Sequence, residues 1–299
     1  MRIMFNEVRN NKIKSVVLML LFIILIGVLG AVIGIYYGSV SFGLIIAILI
    51  SLAYSLLGLF SGDRIILSAS GARPVTKKEF PHLYHTIEGL AIAANIPAPK
   101  AYVIDDSAMN AFATGRDPKH ASITVTTGLL NKMSRQELEG VVAHEMSHIR
   151  NYDIRIMMLA AVLVGIVTLL SDFLLRTFLW GGKHRESRGS SRIAAILILA
   201  GIVLAILNPI IGEMIRLAIS RKREFMADAN GALLTRYPPG LANALKKISK
   251  DPDPLVDKAN KATAHLFIST PFRQKQSIVI KLFSTHPPIE ERIKRLEAM

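Results

Sequence analysis

Hydrophobic positions along the chain fall into long uninterrupted runs and short periodic ones. Residues 16–37 and 39–60 form two runs of 22 residues each without a charge, long enough to cross roughly 30 Å of hydrocarbon at about 1.5 Å per residue. A cleaved secretory leader is the alternative for the first run. Its apolar core exceeds the usual length of such leaders and a second run follows at once, so the pattern predicts an uncleaved anchor. The short uncharged turn around Gly38 makes the two a hairpin. Residues 154–175 and 193–219 are less pure, with Arg155 and Asp172 near the ends of one and Glu213 and Arg216 at the exit of the other. The Gly- and Ser-rich stretch 176–192 between them predicts a basic loop.

The polar parts carry shorter periods. Residues 80–96 read as an amphipathic helix stopped near Pro97 and Pro99, and 101–104 and 122–127 read as strands, the latter alternating Ile123 and Val125 with threonines. Asn110 to Gly115 reads as a strand ending in a turn. Ser134 begins a helix, with Glu137 three residues on completing a capping box. From Ser220 the pattern is helical until Pro238 and Pro239 end it, and Pro287 and Pro288 open a last helix with Ile289, Ile293 and Leu296 on one face. The expected architecture is a membrane α-helical protein with about four transmembrane helices and an α+β domain at the membrane face. Its parts are an N-terminal hairpin (1–60), a polar segment (61–153), a second hairpin (154–219) and a polar C-terminal segment (220–299).

Composition supports the membrane reading: 51% of residues are hydrophobic. The net charge of +14 would in a soluble domain suggest nucleic acid. Here Arg2, Arg9, Lys12 and Lys14 precede the first run, and Arg64, Arg73, Lys77 and Lys78 follow the second. A lipid bilayer with anionic headgroups accounts for the charge without nucleic acid, and the positive-inside bias places both ends of the first hairpin in the cytoplasm. The same bias opposes a spanning second hairpin, because its basic loop would lie outside, so a re-entrant or interfacial pair remains the alternative. Cysteine is absent, which excludes disulfides, thiolate nucleophiles and Cys-based metal sites.

The chemistry lies in His144-Glu145-Met146-Ser147-His148. At 3.6 residues per turn the two histidines share one face of the capped helix and can grip one ion, with Glu145 on the adjoining edge. Neutral imidazoles suit zinc, which lowers the pKa of a bound water, and Glu145 can take that water's proton and return it to a leaving amine. A third ligand is needed. The three-histidine extension of this motif requires Gly at 151 and His at 154, where Asn151 and Ile154 stand. Carboxylate candidates are Asp153, Asp172, Glu213, Glu224 and Asp228. If the third and fourth apolar stretches form an antiparallel hairpin, His148 and Glu224 lie about 9 and 8 Å above the same membrane face. Asp228, one turn beyond Glu224, can orient a ligand histidine through its second ring nitrogen.

His144-Glu145-Met-Ser-His148 followed by Glu224-Phe-Met-Ala-Asp228 resembles the membrane-embedded zinc proteases of the HtpX type, in the wider family that includes the prenyl-protein protease Ste24. The resemblance covers nearly the whole chain and implies a zincin-like metalloprotease domain. It implies zinc, one ion per chain, on His144, His148 and Glu224, with Glu145 as catalytic base. It also matches Asn110-Ala111-Phe112-Ala113 to the edge strand that pairs with an extended substrate, and Thr285-His286-Pro-Pro with Arg292 to a late motif. His286 would then stabilise the oxyanion, or merely cap the last helix. The expected function is a zinc endopeptidase in the cell membrane, multi-pass, with a cytoplasmic active site acting on misfolded or damaged membrane proteins. A specific processing protease of the Ste24 kind, and a non-enzymatic metal-binding membrane scaffold, are the alternatives. The oligomeric state has no signal in the sequence.

Overall fold

The computed structural model describes residues 2–181, 220–251, 266–268 and 287–299. Helices α1 (Arg2–Tyr36) and α2 (Val40–Ala69) form the first hairpin. The connection is tight because Gly38 takes a left-handed φ of 79° and the Ser39 side chain caps α2 by accepting the Phe42 N–H. The two helices approach so closely that a Cβ on Gly30 would lie 2.6 Å from the Gly43 carbonyl.

Helix α6 (Asp153–Gly181) packs against both. Among the described residues, three helices are long and apolar enough to cross a membrane: Asn6–Ile35, Val40–Ala69 and Asp153–Leu170. The third is 67% buried in its window and the second 17%, so α6 is the inner helix and α2 turns most of its apolar surface outward, as a lipid-facing helix does. Leu18, Phe22 and Leu25 of α1 and Ile156, Met158 and Leu163 of α6 share one core. The fourth apolar stretch lies outside the described residues. Helix α6 runs six residues into the expected loop, because Thr177 to Trp180 continue the apolar run and the first Gly-Gly pair comes only at Gly181.

The polar part contains a four-stranded sheet in the order β1-β2-β4-β3, made of β1 (Arg73–Pro74), β2 (Lys100–Ile104), β3 (Ala111–Gly115) and β4 (Ala121–Thr126). β2 and β4 pair in parallel, whereas β3 runs antiparallel to β4 and forms an edge. The two-residue β1 carries no period that the sequence could display. Helix α3 (Pro81–Ala94) ends where Asn95 adopts φ 55°, and α4 (Thr127–Lys132) follows β4. Helix α5 (Arg135–Arg150) lies at the centre, packed against α3, α7 (Arg221–Thr235) and α8 (Pro238–Ser249), while α9 (Ile289–Glu297) packs on α8 and α7. The prolines at 238 and 239 end α7's pattern as expected. They also open α8, because proline at the first helical positions forfeits no intrahelical bond.

Helices α5 and α6 are not continuous. Asn151 caps α5, Tyr152 takes a left-handed φ of 61°, and α6 starts at Asp153. The height comparison of His148 with Glu224 assumed a straight axis through this point, which the chain does not follow.

Candidate active site and metal centre

The capping box on α5 is formed: the Ser134 side chain accepts the Glu137 N–H, and the Glu137 carboxylate accepts the Ser134 N–H at 2.7 Å. With sheet, α3, α7 and α8 around it, α5 buries even its polar residues, and His144, Glu145 and His148 are 1%, 2% and 3% exposed. Charged groups this deep persist only when paired or bound to an ion.

Each histidine is held at one ring nitrogen by a carboxylate. His144 Nδ1 lies 2.9 Å from Asp228 Oδ1, and His148 Nδ1 lies 2.9 Å from Asp153 Oδ2. An ionised carboxylate only accepts, so both Nδ1 atoms carry a hydrogen and each Nε2 is the ring nitrogen turned toward another partner. These Nε2 atoms are 3.2 Å apart, and Glu224 Oε2 and Oε1 lie 3.7 and 3.5 Å from His144 Nε2 and His148 Nε2. Among the described residues, these three side chains form a group able to hold a metal ion. Tetrahedral bonds of about 2.0–2.1 Å would place ligand atoms roughly 3.3 Å apart, so the spacing fits such an ion with little movement.

The electrostatics fit as well. Burial disfavours the charged form of His148, yet Asp153, Glu224 and Glu145 surround it with enough negative charge to raise it to about 9. A divalent cation at Nε2 would meet that same field. Burial pushes the Glu145 carboxyl up to about 7, partly opposed by His148 and by a backbone hydrogen bond from Ala113. For Asp228, burial acts upward but the Arg292 guanidinium and His144 hold it at about 2. Arg292, 1% exposed, grips Asp228 with Nε at 2.8 Å and Nη2 at 2.7 Å, reaches Glu224 Oε2 at 3.8 Å, and donates through Nη1 to the Ile268 carbonyl at 3.1 Å.

Of the five carboxylates considered as third ligand, Glu224 faces both histidines, while Asp228 and Asp153 hold their far nitrogens. Asp172 lies nineteen residues into α6 from Asp153, about 28 Å along its axis. Glu213 and His286 fall outside the described residues. The edge strand passes beside Glu145. Thr126 N–H donates to the Asn110 carbonyl, so by alternation the backbone groups of Ala111 and Ala113 face away from β4. On that outer side the Ala111 carbonyl accepts the Ile268 N–H at 2.9 Å, and Ala113 meets Glu145. The Asn110 Oδ1 accepts the Ala111 N–H, and the Phe112 ring is buried edge-on against Phe267 at 5.1 Å.

Sequence reasoning missed Asn11 and Arg223. Both sit among charged or polar flanks that look solvated, yet they are 1% and 5% exposed and converge on Asp153. Nothing local signals this, since the partners are 142 and 70 residues apart.

The family described as Peptidase family M48 matches residues 77–299. Protease HtpX homolog of Dictyoglomus thermophilum is 46% identical over 99% of this chain and 94% of its own length, and that of Ligilactobacillus salivarius 41% over 99% of this chain and all of its own. The crystal structure of S. mikatae Ste24p superposes at a TM-score of 0.49 with 20% identity, covering 89% of this chain and 60% of that one. With the family match spanning the motif helix, Glu224 and the C-terminal helix, and with relatives above 40% identity along nearly the entire chain, this protein belongs to peptidase family M48 and is a membrane-bound metalloprotease.

Proposed function

We propose that His144, His148 and Glu224 hold one zinc ion and that Glu145 is the base of a peptide-bond hydrolysis directed at misfolded or damaged membrane proteins on the cytoplasmic side. The observation that carries this reading is the orientation of the two histidines: each is fixed at Nδ1 by its own buried carboxylate, with Nε2 turned to its neighbour and to Glu224. Histidines, a carboxylate and no thiolate suit zinc with one coordination position left for substrate or water. When bound, the ion supplies Lewis acidity to water and to the scissile carbonyl.

The chain's own residues do the rest. Water adds to the carbonyl carbon as Glu145 takes its proton. The C–N bond then breaks as Glu145 passes that proton to the departing amine, leaving a carboxylic acid and an amine. Burial acts to raise the Glu145 carboxyl, which favours its holding that proton between the two steps. Its link to Ala113 places it against the outer edge of β3, whose Ala113 carbonyl is turned to the side where an extended peptide would pair. Asn110 and Ala111 would steady that strand, and Phe112 would anchor it in the core. Main-chain pairing reads no particular sequence, in keeping with a quality-control role. The cytoplasmic placement follows from the basic flanks of the first hairpin, and membrane substrates from a site a few residues from the start of α6.

The test is hydrolysis of casein by detergent-purified protein. Glu145→Gln keeps size and helix propensity but cannot accept the proton. Activity is expected to fall by at least about 10²-fold with zinc retained; a variant that still cleaves at the wild-type rate would end this mechanism.

A further inference from the structure

We infer that Asn11, on the first membrane helix, is a positioning residue of the catalytic centre that acts on His148 through Asp153. Asn11 stands five residues before the uncharged run and is 1% exposed. Its Nδ2 donates to Asp153 Oδ1 at 2.6 Å and to the Asn151 carbonyl at 2.9 Å. Its Oδ1 accepts from Arg223 Nη1 at 3.4 Å, and the same guanidinium nitrogen lies 3.4 Å from Asp153 Oδ1. The other oxygen of Asp153 faces His148 Nδ1. One carboxylate thus has its two oxygens divided: Oδ2 orients the ring of His148, and Oδ1 is held by α1 and α7 together.

A helix that served only as an anchor would gain by burying an apolar residue here. An amide this deep costs free energy unless every partner is in place. The partners of Asn11 are chosen accordingly. Asn151 and Asp153 flank Tyr152, whose left-handed backbone breaks α5 from α6, so Asn11 clamps the break that turns Asp153 back toward His148. The first membrane helix and the metal site are therefore one mechanical unit, and the anchor is part of the enzyme.

The inference rests on His148 being a metal ligand, and the experiment separates the two. Zinc affinity of the full-length protein in detergent is measured by competition with a chromophoric chelator, alongside thermal unfolding. Asp153→Ala is expected to weaken zinc by about 10–100-fold, the usual loss when a ligand histidine's partner is removed. Asn11→Ala, and Asn11→Leu which keeps the volume filled, are each expected to weaken it by about tenfold. The double variant Asn11→Ala with Asp153→Ala should bind no more weakly than Asp153→Ala alone, because both changes act through one group. Ser15→Ala, one turn along α1, removes a hydroxyl bonded to the Asn11 carbonyl and should leave affinity unchanged. Wild-type affinity in both Asn11 variants, or losses that multiply in the double variant, would overturn the inference. Full zinc binding by His148→Ala would instead overturn the ligand assignment beneath it.

Discussion

Gly231→Ala adds one methyl group where α7 crosses the motif helix. The new Cβ would sit 3.0 Å from the His144 backbone nitrogen and 3.3 Å from the Ala143 carbonyl carbon. Both neighbours are backbone atoms that cannot swing aside, so the helices must part by a few tenths of an ångström. Alanine returns about 1 kcal/mol of helix propensity, while overpacking a close contact costs about 1–3 kcal/mol, leaving a net destabilisation of about 0–2 kcal/mol. Metal binding is more sensitive. Glu224 rides on α7 and the two histidines on α5, with ligand atoms 3.2–3.7 Å apart, and metal–ligand distances tolerate only about 0.2 Å. Zinc affinity is expected to fall by about tenfold or more. Gly89→Ala is the companion: Gly89 lies in α3 with nothing within 4 Å of an added Cβ. It should gain up to about 1 kcal/mol and leave zinc untouched. Thermal unfolding and chelator competition on both variants read the two effects separately. A Gly231→Ala protein that gains stability as Gly89→Ala does and binds zinc like the wild type would refute the claim that this crossing sets the site.

Glu137 offers a pH test away from the metal. Burial acts to raise its carboxyl, but Lys247 at 2.7 Å and the Ser134 cap outweigh it and lower the pKa from 4.5. A carboxyl lowered on folding stabilises above its unfolded value, and the contribution disappears as pH falls through the folded one. Wild type should therefore exceed Glu137→Gln in stability at pH 7, with the gap closing below about pH 4; a gap constant from pH 7 to 3 would count against the cap. For sidedness, a Cys at Ser187, in a chain with no cysteine of its own, should react with an impermeant maleimide from outside intact cells. Reaction only after lysis would replace the spanning second hairpin with a re-entrant pair and leave the metal site as it is.

The clustering of the site residues was readable where it is local. Two histidines one turn apart, a cap ten residues upstream and a Glu-x-x-x-Asp helix are spacing patterns, and His144, Glu145, His148, Glu224 and Asp228 meet in one buried cluster. What stayed hidden depends on contacts between distant parts of the chain. Asp153 reads as a ligand candidate from its distance to the motif, and only the left-handed Tyr152 turns it onto the far nitrogen of His148. Arg223 and Asn11 read as solvated flanks because hydrophobic periodicity cannot show a polar side chain buried by another helix. Arg292 is singled out by the family resemblance of the late motif and not by its helix, where its neighbours Glu290, Glu291, Lys294 and Arg295 look equally exposed. Its burial against Asp228 comes from α9 packing across α7. Pro238 was legible as a stop and not as a start, since proline serves both uses and the choice rests with the apolar face of α8 behind it.

The central claim is that one ion is held jointly by α5 and α7, and metal content by mass spectrometry tests it most directly. Full-length wild type and Glu145→Gln, purified in detergent without added metal and quantified per chain, are predicted to carry one zinc each, and Glu224→Ala close to none. Glu224→Ala with a full equivalent of zinc, or wild type carrying a different metal in stoichiometric amount, would contradict the account.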